Sequence, residues 1–333
     1  MKCHHLLSAV ASLTVLSACG GGGGSPGGAG TPPVQTSTLS TITAANAPSA
    51  AGNAYAASMS VSMSSSSLTD ILTGVSVAQP GIGTVAPVLT LVRRARTAPQ
   101  LLAGVTTSEN CAGGGSVTVD ATVRNPQTIS NGDTMTMTAR NCVEDGETLD
   151  GIMAITFSNM SGDIVNTTVY GATLDTRFTN FNISDAGTRI GINGDMKIVI
   201  NQTGATSNTV TISGQSLQTS AQQGSAAAIN RTLTAYAMTG STQGSTTTGA
   251  ANFTLSGNSG ALGPFSYTVK NLEPFVSSGS AMPNSGALIV NGAASSVTAT
   301  VVANGVRLDF SAAGNGTITQ TSTLSWTEFL ASF

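Results

Sequence analysis

Cysteine and histidine are the residues of this chain best suited to catalysis or metal binding, and their positions restrict which of these reactions and sites are possible. The only histidines are His4 and His5, in a stretch with the layout of an export signal: Lys2 near the start, an apolar run to Leu16, then small residues. We expect residues 1–18 to be removed as a signal peptide, which leaves a mature chain without histidine. Ser-His-Asp catalysis, Cys-His catalysis and histidine-ligated metal sites are then excluded.

The segment Leu16-Ser17-Ala18-Cys19 resembles the lipobox of bacterial lipoproteins. The resemblance implies that a signal peptidase cuts before Cys19 and that its thiol carries acyl chains such as palmitate, which anchor the chain in the membrane. Gly20 follows Cys19 where an aspartate favours inner-membrane retention in enteric bacteria, so the resemblance favours the outer membrane and leaves its face open. An ordinary secretory signal with a chance cysteine is the alternative.

Residues 19–45 are predicted to be a tether. After Cys19 they consist mostly of Gly, Ser, Thr and Pro, with almost no apolar side chains. Such a segment cannot bury enough apolar surface to offset the entropy lost on ordering, so we expect a flexible linker that lets a folded domain stand off the membrane.

Charge and composition argue against nucleic acid as a partner. Charged residues make up 8 % of the chain, and 15 acidic residues outnumber 12 basic ones. The only basic cluster, Arg93-Arg94-Ala95-Arg96, has no aromatic residues interleaved, so we interpret it as a solvated helix face. The serines and threonines have no His or Lys pattern that would activate a nucleophile, so we expect no enzyme and no cofactor.

Cys111 and Cys142 remain as a pair in a chain expected to be exported. A disulfide is favoured over a metal site, because the further soft or imidazole ligands that a metal prefers are absent. A disulfide between residues 31 positions apart in the sequence stabilises a fold by about 3–4 kcal/mol. Asp145, Glu147 and Asp150 lie just beyond Cys142, but their spacing is not that of an EF-hand loop, so a solvated acidic hairpin is favoured over a calcium site.

Apolar and polar residues alternate over most of the chain beyond residue 106, with turn residues between the runs, which is typical of half-buried strands. The alternating apolar positions include Val117, Val119 and Val123; Met135, Met137 and Ala139; Met153, Ile155 and Phe157; Met196, Ile198 and Ile200; Phe265, Tyr267 and Val269; and Val306, Leu308 and Phe310. The predicted fold class is mainly β: a long antiparallel meander forming a curved sheet, a sandwich or an incomplete barrel, with short N-terminal helices packed on it. We place the helical segment at 46–105 and the β-rich domain at 106–333.

Four runs begin similarly with glycine, at Gly151, Gly194, Gly249 and Gly286. Their spacing is too uneven for a solenoid repeat. We interpret the four runs as strands that begin after turns, and an internal duplication is the alternative.

A second resemblance covers the β-rich part loosely. Cys111-Ala-Gly-Gly-Gly, Gly132-Asp133, Asn141-Cys142 and the closing VRLDFSAAGNGTITQTSTLSW are similar to a group of uncharacterised β-rich lipoproteins of the Gram-negative envelope. Those relatives often carry aspartates in the final loop, where this chain has Ala312, Ala313 and Asn315, so no metal site is carried over. The resemblance implies no activity.

These observations favour a membrane-anchored envelope lipoprotein with a structural or interaction role, whose partner would be a protein or an envelope polymer. The alternative is a carrier that holds a lipid inside a curved sheet, and a hydrolase has no residue support. For the carrier, the inward residues would be Met153, Phe157, Met196, Phe253, Phe265 and Phe310. A packed core made of the same residues is favoured, because no convergent polar group marks a ligand headgroup.

Overall fold

The structure is a computed structural model that describes residues 38–62, 105–125, 128–144, 146–162, 167–185, 187–279 and 282–332. The predicted signal peptide, the predicted acylation site Cys19 and the arginine cluster at 93–96 lie outside the described residues. So does Asp145.

The described part of the chain consists of fourteen strands and two short helices. The strands are β1 (Val105–Asn110), β2 (Ser116–Thr122), β3 (Thr134–Glu144), β4 (Glu147–Gly162), β5 (Tyr170–Asp185), β6 (Thr188–Gly204), β7 (Ser207–Gln223), β8 (Ile229–Gln243), β9 (Thr246–Ser259), β10 (Gly263–Ser278), β11 (Ser285–Gly292), β12 (Ser295–Val302), β13 (Gly305–Ser311) and β14 (Gln320–Ser325). The helices are α1 (Ala47–Ser62) and α2 (Trp326–Leu330).

All fourteen strands belong to one antiparallel sheet, in which each strand pairs with the next one along the chain. The sheet is not closed: β1 and β14 are its two edges. This confirms the prediction of a mainly β fold built as a long antiparallel meander. Very short turns fix the hairpins: Asp185 pairs with Thr188 and Gln243 pairs with Thr246, and each turn contains a glycine at positive φ.

One face of the sheet forms the core, as the alternation predicts. In β6, Met196, Ile198 and Ile200 are at most 2 % exposed, whereas Lys197 and Asn201 between and beyond them are exposed. The side chains of successive strand residues point to opposite faces, so one face is apolar and the other carries Thr, Ser, Asn and a few charges.

Helix α1 is buried on every side. Its six successive residues from Ala50 to Tyr55 are all buried, and consecutive helical residues point in all directions around the axis. Four of these six are alanine or glycine, whose small side chains permit close approach of neighbouring backbones. Strands β8, β9, β11, β12 and β13 and helix α2 contact α1. Neither described helix has the length and apolar character needed to cross a membrane.

A line of β-bulges crosses the sheet from β3 to β10, and we call it the bulge line. Asn141 in β3, Asn180 in β5 and Ala235 in β8 have φ between 46° and 48°, and the strand register shifts beside each of them. In β10 the register against β9 shifts between Lys270 and Phe275. Because bulges bend strands and increase their twist, the sheet bends along this line.

The run at Gly286 opens a strand after a loop, as predicted, because β11 begins at Ser285. Gly151, Gly194 and Gly249 instead lie inside β4, β6 and β9, so the prediction that a strand begins there is wrong. Gly151, Gly194 and Gly286 have φ between 107° and 133°, and Gly249 pairs with Phe275 at the register shift of β10. A Cβ atom on Gly151 would lie 2.2 Å from the Asn180 carbonyl oxygen. Gly151, Gly194 and Gly286 require glycine because the neighbouring strand approaches the backbone too closely for a side chain.

Side chains of the neighbouring strand bind the amides that the bulge line takes out of the regular ladder. The Asn141 N–H donates to Asp150 Oδ1 at 3.2 Å, and the Asn180 N–H donates to Asn193 Oδ1 at 3.1 Å. Gln215 and Ser216 both donate to the Asp195 carboxylate, at 2.8 and 3.0 Å. The bulges therefore keep their backbone polar groups hydrogen-bonded.

Candidate functional site

The most buried cation of the described residues is Arg231 on β8, and it holds α1 in place. Its Nε and Nη2 both donate to Asn53 Oδ1 of α1, at 3.1 and 2.9 Å. Asn53 is 0 % exposed, and its Nδ2 donates to the Ser49 carbonyl oxygen at 3.1 Å. Burial lowers the pKa of Arg231. This pair supplies directional bonds inside an apolar core, so it fixes the position of α1 relative to the sheet.

An aromatic cluster holds the other half of α1. The Tyr55 ring lies 5.3 Å from Phe275, 5.6 Å from Trp326 and 5.6 Å from Phe329, measured between ring centroids. Burial raises the pKa of Tyr55, so its hydroxyl stays protonated. The contacts with Phe275 and Phe329 are edge-on, a geometry that stabilises aromatic pairs beyond the area they bury.

Helix α2 supplies two of those rings and is itself capped. The Ser325 Oγ accepts from the Glu328 N–H at 3.3 Å, and Glu328 Oε2 accepts from the Ser325 N–H at 2.9 Å. This reciprocal capping box satisfies backbone donors that a helix start leaves unpaired. The bond from the Ser325 backbone is the main cause that lowers the pKa of Glu328.

The residues predicted to line a common interior are brought together as one core. Met153, Phe157, Met196, Phe253 and Phe265 are between 0 and 4 % exposed and belong to the same hydrophobic cluster as α1. Phe310 packs against that cluster but is only partly buried. Met153 has no exposed surface, so its side chain contacts only protein atoms and does not line a water-sized void.

Tyr236 adds a polar anchor to this interior. Its hydroxyl donates to the Asp195 carbonyl oxygen, and a Cβ on Gly214 would lie 2.5 Å from that hydroxyl. The tyrosine therefore passes over the glycine of β7 to reach β6. Burial, and after it the nearby Asp195 carboxylate, raise the pKa of Tyr236, so the phenol remains a donor.

The opposite face of β6 to β9 is rich in hydroxyl groups, and we call it the hydroxyl face. Asn201, Thr209, Ser241 and Thr248 form one cross-strand row, and Thr211 pairs with Thr239 in the next row. None of these six side chains is charged, and Asn201, Thr209, Thr211 and Thr239 are exposed. The Ser241 and Thr248 hydroxyls are hydrogen-bonded at 2.6 Å. These six residues offer hydrogen-bond donors and acceptors without charge. The β6 positions in the next rows are Val199, which is 38 % exposed, and Lys197.

Cys111 and Cys142 are joined by a disulfide, with Cα atoms 5.4 Å apart. Cys142 is a buried residue of β3, and Cys111 lies in the turn between β1 and β2. The bridge fastens that turn to β3, the strand on which β2 lies.

Two of the three acidic residues considered for calcium, Glu147 and Asp150, are among the described residues. Asp150 binds the bulge amide of Asn141, and Glu147 is exposed. In the closing hairpin, Asp309 Oδ2 accepts from Arg307 Nε at 2.9 Å. Among the described residues, no group of three or more His, Cys, Asp or Glu side chains has an arrangement that could hold a metal ion.

Sequence reasoning missed the polar side chains of the bulge line and the Arg231–Asn53 pair. A signal for the former exists: the dipeptides Asp150-Gly151 and Asn193-Gly194 interrupt alternating strand patterns, which is typical of bulges. The latter joins residues 178 positions apart and has no local signal. No family model matches this chain, and no curated protein or solved structure is significantly similar to it.

Proposed function

We propose that this chain is a lipid-anchored protein of the bacterial cell envelope with a structural or interaction role. Acyl chains on Cys19 attach it to the outer membrane, and the chain that follows Cys19 carries the β-rich domain away from the bilayer. The tether is shorter than 19–45, because Ser40 is hydrogen-bonded to Ser266 of β10 and Ile42 is 1 % exposed in the core. The domain's function is to present its polar surface, the hydroxyl face, to a protein or an envelope polymer.

The observation that carries this proposal is the contrast between the two faces of the sheet. The inward face is filled by side chains such as Met153, Ile198 and Leu255, each of which is 0 % exposed. The outward face presents one row of uncharged hydroxyl and amide groups across β6 to β9, formed by Asn201, Thr209, Ser241 and Thr248. A filled interior favours a scaffold over a carrier, and an exposed hydrogen-bonding array is suited to contact with a polar partner.

Metabolic labelling tests the anchor. Cells that express the wild-type chain or a variant are fed an alkyne fatty acid, and its incorporation into the protein is measured after click labelling. We expect Cys19→Ser to abolish incorporation, because the acylated thiol is gone. The matched control is Cys3→Ser, which removes a cysteine of the predicted signal peptide and leaves labelling intact. Equal labelling of wild type and Cys19→Ser contradicts the anchor.

Native mass spectrometry separates the scaffold from the lipid carrier. The non-acylated Cys19→Ser protein, purified without detergent, is expected to have the mass of the polypeptide alone. It is also expected not to bind a fluorescent fatty acid. A co-purified lipid at near-unit stoichiometry contradicts the scaffold and supports the carrier. Protease accessibility on intact cells then reports which face of the outer membrane the domain occupies.

A further inference from the structure

We infer that the Cys111–Cys142 disulfide is a redox-sensitive latch that keeps the hairpin of β1 and β2 on the edge of the sheet. When the bridge is reduced, this hairpin detaches from β3 at its turn while the remaining strands stay folded. The inference concerns a conformational property and does not depend on the proposed lipid anchor.

The first support is that the hairpin buries little apolar surface. Among its described side chains, only Ala121 is fully buried, and Val117 and Val119 are half-buried. In β1, Thr106 and Ser108 are exposed and bond only across the hairpin, to Asp120 and Thr118. Elements with few buried apolar contacts open locally at a lower free energy than the core does.

The neighbouring strand is held much more firmly. In β3, Met135, Met137, Ala139 and Cys142 are between 0 and 5 % exposed and belong to the hydrophobic core. The boundary between loosely held and firmly held structure therefore lies between β2 and β3. The disulfide crosses this boundary.

The hairpin is fastened to β3 at its turn by the disulfide and by two backbone bonds. The Gly113 N–H donates to the Val143 carbonyl oxygen, and the Val143 N–H donates to the Gly114 carbonyl oxygen, both at 2.9 Å. The turn around these glycines is exposed, so the two bonds compete with water and are individually weak. The covalent bridge is the strong fastening at this end.

The other end of the hairpin has a separate anchor. Asp133 is 0 % exposed, and its carboxylate accepts from the Arg124 N–H at 3.1 Å and the Ser130 N–H at 2.7 Å. The Gly132 N–H donates to the Phe157 carbonyl oxygen at 2.8 Å. These bonds tie the loop between β2 and β3 to β4, so the hairpin opens at its turn and pivots at this loop.

Reduction follows ordinary thiol–disulfide exchange. A dithiol reductant attacks the sulfur of Cys111, because Cys111 is only partly buried whereas Cys142 is fully buried. The S–S bond breaks and Cys142 leaves as a thiolate that takes up a proton. The second thiol of the reductant then displaces Cys111, so two cysteines are reduced while the dithiol is oxidised to a disulfide.

Hydrogen exchange followed by mass spectrometry tests the latch on the folded chain, with and without dithiothreitol. We expect the exchange of amides in β1, in β2 and on the facing edge of β3 to increase by about tenfold or more on reduction, because the closed loop no longer restrains the open state. Amides of the Asp133 loop and of β4 to β13 keep their protection. The Cys111→Ser/Cys142→Ser variant should exchange like the reduced protein and show no response to dithiothreitol.

Two results would overturn the inference. One is unchanged exchange in β1 and β2 after mass spectrometry has verified that both cysteines are reduced. The other is an equal loss of protection throughout β4 to β13, which would make the disulfide a global staple instead of a local latch. Because the first measurement uses the wild-type chain, it remains decisive if the double variant fails to fold.

Discussion

Asn53 accepts two hydrogen bonds from the largely buried guanidinium of Arg231. Removing the Asn53 side chain should therefore lower the free energy of unfolding. We expect Asn53→Ala to lower the free energy of unfolding by about 2–3 kcal/mol, because it removes the acceptor of two hydrogen bonds from a largely buried guanidinium. Urea denaturation of Asn53→Ala, Arg231→Leu and the double variant measures this as a double-mutant cycle. Lys270→Ala, at an exposed position, is the control. If the single changes add up, the two side chains are not coupled and the assignment fails.

The capping box at the start of α2 favours the ionised form of Glu328. Its pKa is lowered by the bonds from Ser325, so the carboxylate form is favoured in the folded state. The stabilising contribution of the cap is therefore present above the ordinary pKa of a glutamate and is lost as the pH falls through the lower, folded-state value. We expect Ser325→Ala to raise the pKa of Glu328 only part of the way toward its ordinary value, as read by carboxyl-carbon NMR titration, because it removes the side-chain bond and keeps the backbone donor. An identical titration curve in both proteins contradicts the capping account.

The bulge line contains glycines that face a neighbouring backbone. Replacing such a glycine destabilises the fold in two ways, by a steric clash and by the strain of a positive φ. We expect Gly151→Ala to destabilise the fold by about 3 kcal/mol or more, because the new methyl group meets the Asn180 carbonyl oxygen in addition to the strain of a positive φ. Thermal and urea unfolding measure the difference from wild type.

Gly187 provides the matched control for that variant. It also has a positive φ, 89°, but a Cβ there would meet no atom within 4 Å. Gly187→Ala should therefore cost only the backbone strain, about 1 kcal/mol. Equal losses at the two positions would mean that close packing at the bulge line contributes nothing.

Helix α1, strands β3 to β13 and helix α2 share one hydrophobic core, so these elements are expected to unfold together. Tyr55→Ala removes the ring between Phe275, Trp326 and Phe329 and should cost about 3–5 kcal/mol, lowering the temperature of a single transition. Calorimetry and hydrogen exchange check that strands remote from α1 lose protection in the same step. Leu272→Ala, at a side chain 51 % exposed, should have little effect. A separate low-temperature transition for α1 would contradict a shared core.

Much of this architecture is readable in the amino-acid sequence because side chains alternate strictly along a strand. The pattern around Met196, Ile198 and Ile200 predicts which residues face the core, and the short turns predict antiparallel neighbours. The pairing of Cys111 with Cys142 follows once Cys3 and Cys19 are assigned to the predicted signal peptide and acylation site. The lipobox around Cys19 remains a prediction, as it lies outside the described residues.

Only the tertiary structure determines where the sheet bends and what the core helix contacts. A glycine such as Gly151 has the same local signature at a strand start as inside a strand, and only the bulge at Asn180 on the next strand shows which applies. The Arg231–Asn53 bond likewise joins distant residues. Periodicity specifies which face of an element is buried, but contacts between elements depend on the register and packing of the whole sheet, which no local pattern encodes.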